Sequence, residues 1–280
     1  MISTLYFYRE LKIIILSKRR FGVAALASMF LVACGGGGGD GTEPTGEAPI
    51  TPDSPGKIVG LGSFGGTPQG PEFQLPAGIK LASSLTGLYV GPSGDSVGQI
   101  SLSATTTAAL PAATVALKEL VVHDGGPVDK IMGSGWAVTI KVPLENTTSS
   151  PIEVTFPAGH ILRSKVADFQ HAVLLKAVKV TVPANSKITV ALAAYCGNEK
   201  LAGSAPDATY DWGVVSSSST LRELTDLLKN KKINYEEFAP NFAGYWETAV
   251  RLQTILHNLT DKGVALTEAD RAWIASLPNS

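Results

Sequence analysis

Apolar and polar side chains alternate strictly along four stretches in the middle of the chain, at residues 136–144, 152–156, 178–182 and 188–192. Because successive side chains of a strand point to opposite faces of a sheet, each stretch predicts a strand with one buried and one solvent-facing side. Strands of this kind are typical of antiparallel sheets that cover a core on one side. The alternation therefore indicates a mainly β fold.

Short segments containing Asn, Ser, Pro and Gly separate these stretches, at residues 146–150, 157–159 and 183–186, and such residues favour turns. Weaker alternation predicts three further strands, at residues 87–90, 99–104 and 114–122. About seven short strands at this spacing predict an antiparallel β-sandwich of immunoglobulin-like type over residues 81–215.

Towards the C-terminus the spacing of apolar residues changes to three and four, which is typical of amphipathic helices. A capping-box pattern at residues 220–223 predicts the start of a first helix. Apolar residues along 245–259 predict a second helix, and Thr267 with Asp270 predicts the start of a short third one. Because three short helices cannot build a core of their own, we expect residues 216–280 to dock on the sandwich as an α-helical appendage.

The first 34 residues have the layout of a cleaved export signal. Lys18, Arg19 and Arg20 precede an apolar run at residues 21–33. This run is shorter than the roughly 20 residues that a membrane-spanning helix needs, and extending it backwards would place three cations in the hydrocarbon. A basic segment followed by a short apolar run is instead typical of a secretory signal.

The apolar run ends in Leu31-Val32-Ala33-Cys34, which resembles the bacterial lipobox. The resemblance implies that the Cys34 thiol is diacylated and that Cys34 becomes the first residue of the mature chain. No acidic residue directly follows Cys34, and in lipoproteins of this type that absence implies the outer membrane. We therefore expect a protein of the cell envelope that is attached to the membrane through the lipid on Cys34.

Residues 35–80 are rich in Gly, Pro, Thr, Asp and Glu and hold few large apolar side chains. Such a composition predicts a flexible linker between the anchor and the β-sandwich. The linker contains a G-x-G-x-x-G pattern at residues 60–65, but Pro68 and Pro71 follow it where a dinucleotide site needs a helix. We therefore expect no nucleotide cofactor.

Several function classes are excluded by charge and spacing. The chain has 23 basic and 24 acidic residues, of which the first 34 residues hold five and one, so the remainder carries a charge of about −5. That balance does not favour nucleic acid as a partner. The four histidines, at positions 123, 160, 171 and 257, are scattered and lack zinc-like spacing. With no nucleophile elbow either, the sequence predicts neither a metal site nor an enzyme.

Cys196 is the one thiol left in the chain once Cys34 is acylated. It continues the inward phase of residues 188, 190, 192 and 194, which are all apolar. The simplest interpretation is a buried core cysteine that behaves as a small hydrophobic residue.

Part of the chain, from residue 143 to residue 278, resembles a widespread group of exported bacterial β-sandwich proteins. The residues that carry this resemblance are PIEVTFPAG at 151–159, VPA at 182–184, AYC at 194–196, and Pro206. The resemblance implies a strand-turn element, a strand that ends in Tyr-Cys, and a C-terminal helix that contains a glutamine. Most members of that group have no assigned activity.

The C-terminal element is also similar to the thioester domains of bacterial surface adhesins. In those domains a cysteine after an aromatic residue is crosslinked to a glutamine in a helix patterned Q-x-A-[IV]-W, followed by Thr-Asp. Here Gln253 precedes Thr260 and Asp261 at the same spacing, whereas Ile255 replaces the small residue and His257 replaces the tryptophan. This similarity implies that Cys196 is the thioester sulfur and Gln253 the acyl donor.

Two hypotheses for function follow. The first is a non-enzymatic, lipid-anchored envelope module that binds a protein or glycan or supports an envelope assembly. The second is a covalent, adhesin-like module with an internal Cys196–Gln253 thioester.

Cys34→Ser tests the anchor directly. We expect the substitution to remove the protein from the membrane fraction, because stable anchoring needs at least two acyl chains and Cys34 is their attachment point. The measurement is membrane fractionation after a carbonate wash, with Cys196→Ser as the matched control that keeps the anchor. A Cys34→Ser protein that is still acylated and membrane-bound would contradict the lipoprotein hypothesis.

Overall fold

The computed structural model describes residues 53–92, 120–242 and 244–280, and all of them belong to one compact unit. Within these residues the chain forms eleven β-strands and three α-helices. The prediction of a mainly β fold with a smaller helical part is confirmed. The export signal, the Cys34 anchor and the strand predicted at 99–104 lie outside the described residues.

The strands are β1 (Ile79–Leu81), β2 (Leu85–Pro92), β3 (Leu120–Asp124), β4 (Lys130–Gly133), β5 (Val138–Asn146), β6 (Ile152–Phe156), β7 (His160–Ser164), β8 (Ala172–Val173), β9 (Val178–Val182), β10 (Lys187–Cys196) and β11 (Thr209–Val215). The α-helices are α1 (Ser219–Leu228), α2 (Tyr245–Thr260) and α3 (Glu268–Ser276), with a 3₁₀ turn at Tyr235–Phe238 between the first two.

Six of these strands close into a ring, in the order β5, β10, β8, β7, β11 and β2, with β2 pairing back onto β5. The ring closes because β5 has partners along both edges. Residues 139–141 pair with β2 on one edge, while residues 138–145 pair with β10 on the other. Strands β6 and β9 form a separate two-stranded sheet, and their buried side chains share one hydrophobic cluster with the barrel strands.

These pairings therefore form a closed ring, and they differ from the immunoglobulin-like sandwich predicted for residues 81–215. The four strongly alternating stretches are confirmed as strands β5, β6, β9 and β10, and the stretch at 87–90 lies within β2. Burial on one side alternates as predicted in β6 and β9, whereas β5 and β10 have buried side chains on both faces. Alternation specifies which face of a strand is buried but not which strands are its neighbours. The spacing of the strands could not distinguish a closed ring from two packed sheets.

Strand β10 has buried side chains on both faces from Val190 to Cys196. Val190, Leu192, Ala194 and Cys196 belong to the cluster inside the barrel, whereas Tyr195 belongs to the cluster formed with the helices. The inward phase predicted for Cys196 is confirmed. The helical layer is thus packed directly on the outer face of β10, as expected for a C-terminal appendage.

The helix predictions are largely confirmed. Helix α2 covers the predicted stretch, and α3 begins with the predicted capping box, in which Thr267 and Asp270 bond to each other's backbone. Helix α1 begins earlier than predicted, because Ser218 is its N-cap, and Asp53 adds a second cap by accepting from the Ser219 backbone N–H at 2.7 Å. None of the helices within the described residues is long and apolar enough to cross a membrane.

The flexible linker predicted over residues 35–80 is wrong for the part that the structure describes. Ile58 and Leu61 are 2% and 0% exposed and pack among the helices, and Phe73 packs in the barrel cluster. The backbone N–H of Gly56 donates to the Leu259 carbonyl at 2.6 Å. The composition shows how few apolar residues this segment has, but not that Ile58, Leu61 and Phe73 are buried in the fold.

Leu61→Ala tests whether residues 53–80 belong to the fold. We expect a loss of about 2–5 kcal/mol in the free energy of unfolding, because the leucine is fully buried and its removal leaves a cavity. Urea unfolding followed by circular dichroism measures the loss. Phe64→Ala is the matched control, since Phe64 lies in the same segment and is 38% exposed. Equal small losses for both variants would restore the linker interpretation.

Candidate functional site

The structure brings Cys196 and Gln253 together. Cys196 is the last residue of β10, and Gln253 lies in the middle of α2 on the side that faces the barrel. Both residues are buried, at 4% exposure or less. The pair that the resemblance to thioester domains selected, 57 residues apart in sequence, is thus in direct contact.

Gln253 contacts the backbone of Cys196 through two hydrogen bonds. The Cys196 N–H donates to Gln253 Oε1 at 2.8 Å, and Gln253 Nε2 donates to the Cys196 carbonyl at 3.0 Å. Strand β5 pairs with β10 only as far as Val138 opposite Ala194. The Gln253 carboxamide therefore takes the place of a further strand residue at the end of β10, with the donor and acceptor pattern of a peptide group.

His257 lies one helical turn after Gln253 and extends this network. Its Nε2 is 2.9 Å from Gln253 Nε2. Because an amide nitrogen only donates, His257 Nε2 accepts, and the imidazole proton is on Nδ1, which lies 3.9 Å from Glu199 Oε1. Burial lowers the pKa of His257, against the opposite effect of the nearby Asp261 and Glu199 carboxylates. The imidazole is neutral at neutral pH.

The Cys196 side chain packs in the interior of the barrel. It belongs to the same cluster as Leu192, Ala194 and Tyr210. Burial raises the pKa of the Cys196 thiol to about 12, although a hydrogen bond with the Gln170 side chain acts in the other direction. Since the thiolate is the reactive form of cysteine, the thiol is unreactive at neutral pH in this position.

The loop after Cys196 is tied to two other segments by side-chain amides. Gln170 Oε1 accepts from the Asn198 N–H at 3.2 Å, and its Nε2 donates to the Leu201 carbonyl at 2.8 Å. Asn198 Nδ2 donates to the Gly62 carbonyl at 3.1 Å, and its Oδ1 accepts from the His171 N–H at 3.2 Å. These amides connect the loop to residues 170–171, which directly precede β8, and to the segment before β1.

Charged groups close the outer side of the site. The Glu199 N–H donates to Asp261 Oδ1 at 3.1 Å, and Glu199 Oε1 lies 3.3 Å from Lys262 Nζ. We call the set Cys196, Gln253, His257 and Glu199 the Cys196 cluster. Sequence reasoning selected Cys196 and Gln253 and placed His257 four residues later on the same helix face, but it missed Glu199.

The other histidines do not join this cluster. His123 is exposed, His160 is fully buried beside Trp212, and His171 accepts from the Ser164 N–H at 3.0 Å. Among the residues that the structure describes, no group of three or more His, Cys, Asp or Glu side chains could hold a metal ion.

Comparison of the chain with protein-family models, with curated proteins and with solved structures found no match. The Cys196 cluster is therefore interpreted from its own geometry. Its amide, imidazole and backbone groups are hydrogen-bonded to one another. Such an arrangement is typical of a buried contact between a strand and a helix.

Gln253→Met tests the structural role of the carboxamide. We expect a loss of at least about 1–3 kcal/mol in the free energy of unfolding, because the buried N–H and carbonyl of Cys196 lose their partners while the volume is nearly kept. Denaturant unfolding measures the loss. Gln69→Met is the matched control, because Gln69 is exposed. Losses within about 0.5 kcal/mol of each other would show that the Gln253 hydrogen bonds contribute nothing net.

Proposed function

We propose that the chain is a lipid-anchored protein of the bacterial cell envelope, at the outer membrane, whose folded unit binds a protein or glycan partner without catalysing a reaction. The anchor rests on the lipobox-like sequence that ends in Cys34. One structural observation favours this function over the covalent alternative, the hydrogen bonding of Gln253 to the backbone of Cys196.

That observation favours a structural role for both residues. The Gln253 amide has bonds to the Cys196 N–H, the Cys196 carbonyl and His257. Replacing its nitrogen would remove two of the three bonds. The Cys196 thiol, for its part, faces the barrel cluster and has a raised pKa. The Gln253 amide is thus fully used in hydrogen bonds, and the Cys196 thiol is buried and protonated. Both groups stabilise the fold in these positions.

The second candidate function is the covalent module, and the contact between Cys196 and Gln253 favours it. Thioester formation would join Cys196 Sγ to the Gln253 side-chain carbonyl carbon, break the bond from that carbon to Nε2, and release ammonia, which takes up the thiol proton. His257 Nε2 lies beside the departing nitrogen, at 2.9 Å. An amine on a partner would then open the thioester to an amide and regenerate the thiol.

The state of Cys196 decides between the two functions. We expect the purified protein to have its full mass, and we expect Cys196 to react completely with an alkylating reagent once the chain is denatured, because unfolding exposes an ordinary buried thiol. Intact-mass spectrometry before and after labelling makes the measurement. Labelling of the native protein would not discriminate, since a buried thiol and a crosslinked sulfur both resist the reagent.

The covalent module predicts the opposite pattern. The mass would be lower by one ammonia, denatured Cys196 would resist alkylation, and methylamine would add to Gln253 and release the thiol. Gln253→Ala would abolish the mass deficit, and the control Gln69→Ala would leave it unchanged. That set of results would replace the first function with the second.

A further inference from the structure

Strand β11 contains a bulge at Trp212 and Gly213, opposite β7. The register with β7 shifts between Asp211 and Val214. Gly213 has φ +59°, and a Cβ at that position would lie 1.9 Å from the Ile161 carbonyl oxygen. Only glycine fits there without moving the backbone. Bulges of this kind are common where a sheet presents a side chain at a binding site.

The bulge is held by side chains around it. Asp211 Oδ1 accepts from the Gly213 N–H at 2.9 Å and from Arg163 Nε at 2.8 Å. His160 Nε2 contacts the Trp212 carbonyl and, because that oxygen only accepts, carries the imidazole proton. Burial lowers the pKa of His160 to about 4, so the imidazole stays neutral. The backbone at Trp212 is therefore fixed from both sides.

The indole of Trp212 is fixed as well. Its ring packs against Phe156 with centroids 5.8 Å apart and planes 25° apart, and against Phe73 with centroids 5.3 Å apart. The side chain remains half-buried rather than buried. The result is a rigid aromatic surface at the edge of the barrel, with part of the indole open to solvent.

A cleft of about 380 Å³ lies against this surface, and it is lined by Trp212, Gly213, Arg163, Asp211 and residues 72–75. Several polar groups in the lining have unused hydrogen-bonding capacity. Within the described residues, the two terminal nitrogens of Arg163, Oδ2 of Asp211 and the amide of Gln74 have no hydrogen-bond partner. A small number of convergent polar groups beside an aromatic surface is the usual composition of a ligand site.

The charges of the lining restrict the class of ligand. Arg163 contributes one positive charge, and Glu72 and Asp211 contribute two negative charges, so the net charge of about −1 disfavours an anion. The polar lining also disfavours a wholly apolar ligand. Planar guanidinium, carboxylate and amide groups match paired hydroxyl groups, while the face of an indole covers the C–H face of a pyranose ring.

We propose that this cleft binds a neutral glycan, with the sugar ring on Trp212 and its hydroxyl groups on Arg163, Asp211 and Gln74. The volume, near the lower end of the range for ligand sites, suits on the order of one or two sugar rings. The assignment rests on the proposed function as a binding module and names both its site and the chemical class of its partner.

The test uses the full-length chain, purified in a detergent without a sugar headgroup, and three neutral probes: cellotetraose, maltotetraose and chitotetraose. We expect at least one probe to bind saturably by calorimetry and to shift the indole resonance of Trp212. Trp212→Ala and Arg163→Ala should each weaken binding at least tenfold. Trp273→Ala is the matched control, because Trp273 is also a half-buried tryptophan beside an arginine, with Arg251 at 4.3 Å from its ring centre.

Gln74→Ala guards against a variant that fails to fold, since Gln74 is exposed and its amide holds no other residue. It should also weaken binding while leaving the unfolding transition unchanged. If the wild type binds a probe and Arg163→Ala and Gln74→Ala bind it equally well, the cleft is the wrong site although glycan binding stands. If the wild type binds none of the three probes, the glycan assignment is overturned, whereas the anchor and the state of Cys196 are decided by their own measurements.

Discussion

The burial of β10 on both faces is the constraint on which the rest of the structure depends. One face supplies side chains to the barrel interior and the other supplies Tyr195 to the helical layer, so neither layer can be built without this strand. The same strand pairs with β5 along one edge and with β4 and β8 along the other. At its end, where β5 no longer pairs, Gln253 continues the hydrogen-bond ladder from a helix. The strand thus connects the barrel, the helices and the Cys196 cluster.

The use of a side-chain amide as a strand residue explains how a helix and a barrel are kept in one register. Apolar packing alone allows a helix to slide along a sheet at little cost, because dispersion forces have weak directionality. The two hydrogen bonds between Gln253 and Cys196 oppose such sliding of α2, since it would leave the buried N–H and carbonyl of Cys196 without partners. His257 and the Glu199 loop hold the amide in that position. The cluster therefore specifies the position of α2 as well as stabilising it.

Much of the fold could be predicted from alternation and spacing, because those patterns record burial directly. Strands β6 and β9 and helices α2 and α3 each have one clearly buried side, and β5 and β10 were predicted from the same alternation although both of their faces are buried. Strands β7 and β11 have no such pattern, since β7 is buried on both faces at residues 160–162 and β11 is interrupted by its bulge. Closure of the ring depends on pairing between distant strands, which no local pattern encodes. The inward direction of Cys196 could be predicted from the alternation along β10. Its contact with Gln253 was implied only by the similarity to thioester domains.

The segment that begins at Asp53 has a mechanical consequence. Asp53 is bonded to Ser218 and Ser219 at the start of α1, and Gly56 is bonded to the end of α2. If the chain is tethered at Cys34, tension along the tether enters the folded unit at these contacts. The helical layer carries the load first, and the barrel strands, with the proposed glycan cleft on β11, are reached only after the Asp53 and Gly56 bonds have broken. A ligand held at that cleft would stay on an unstrained scaffold while the envelope moves.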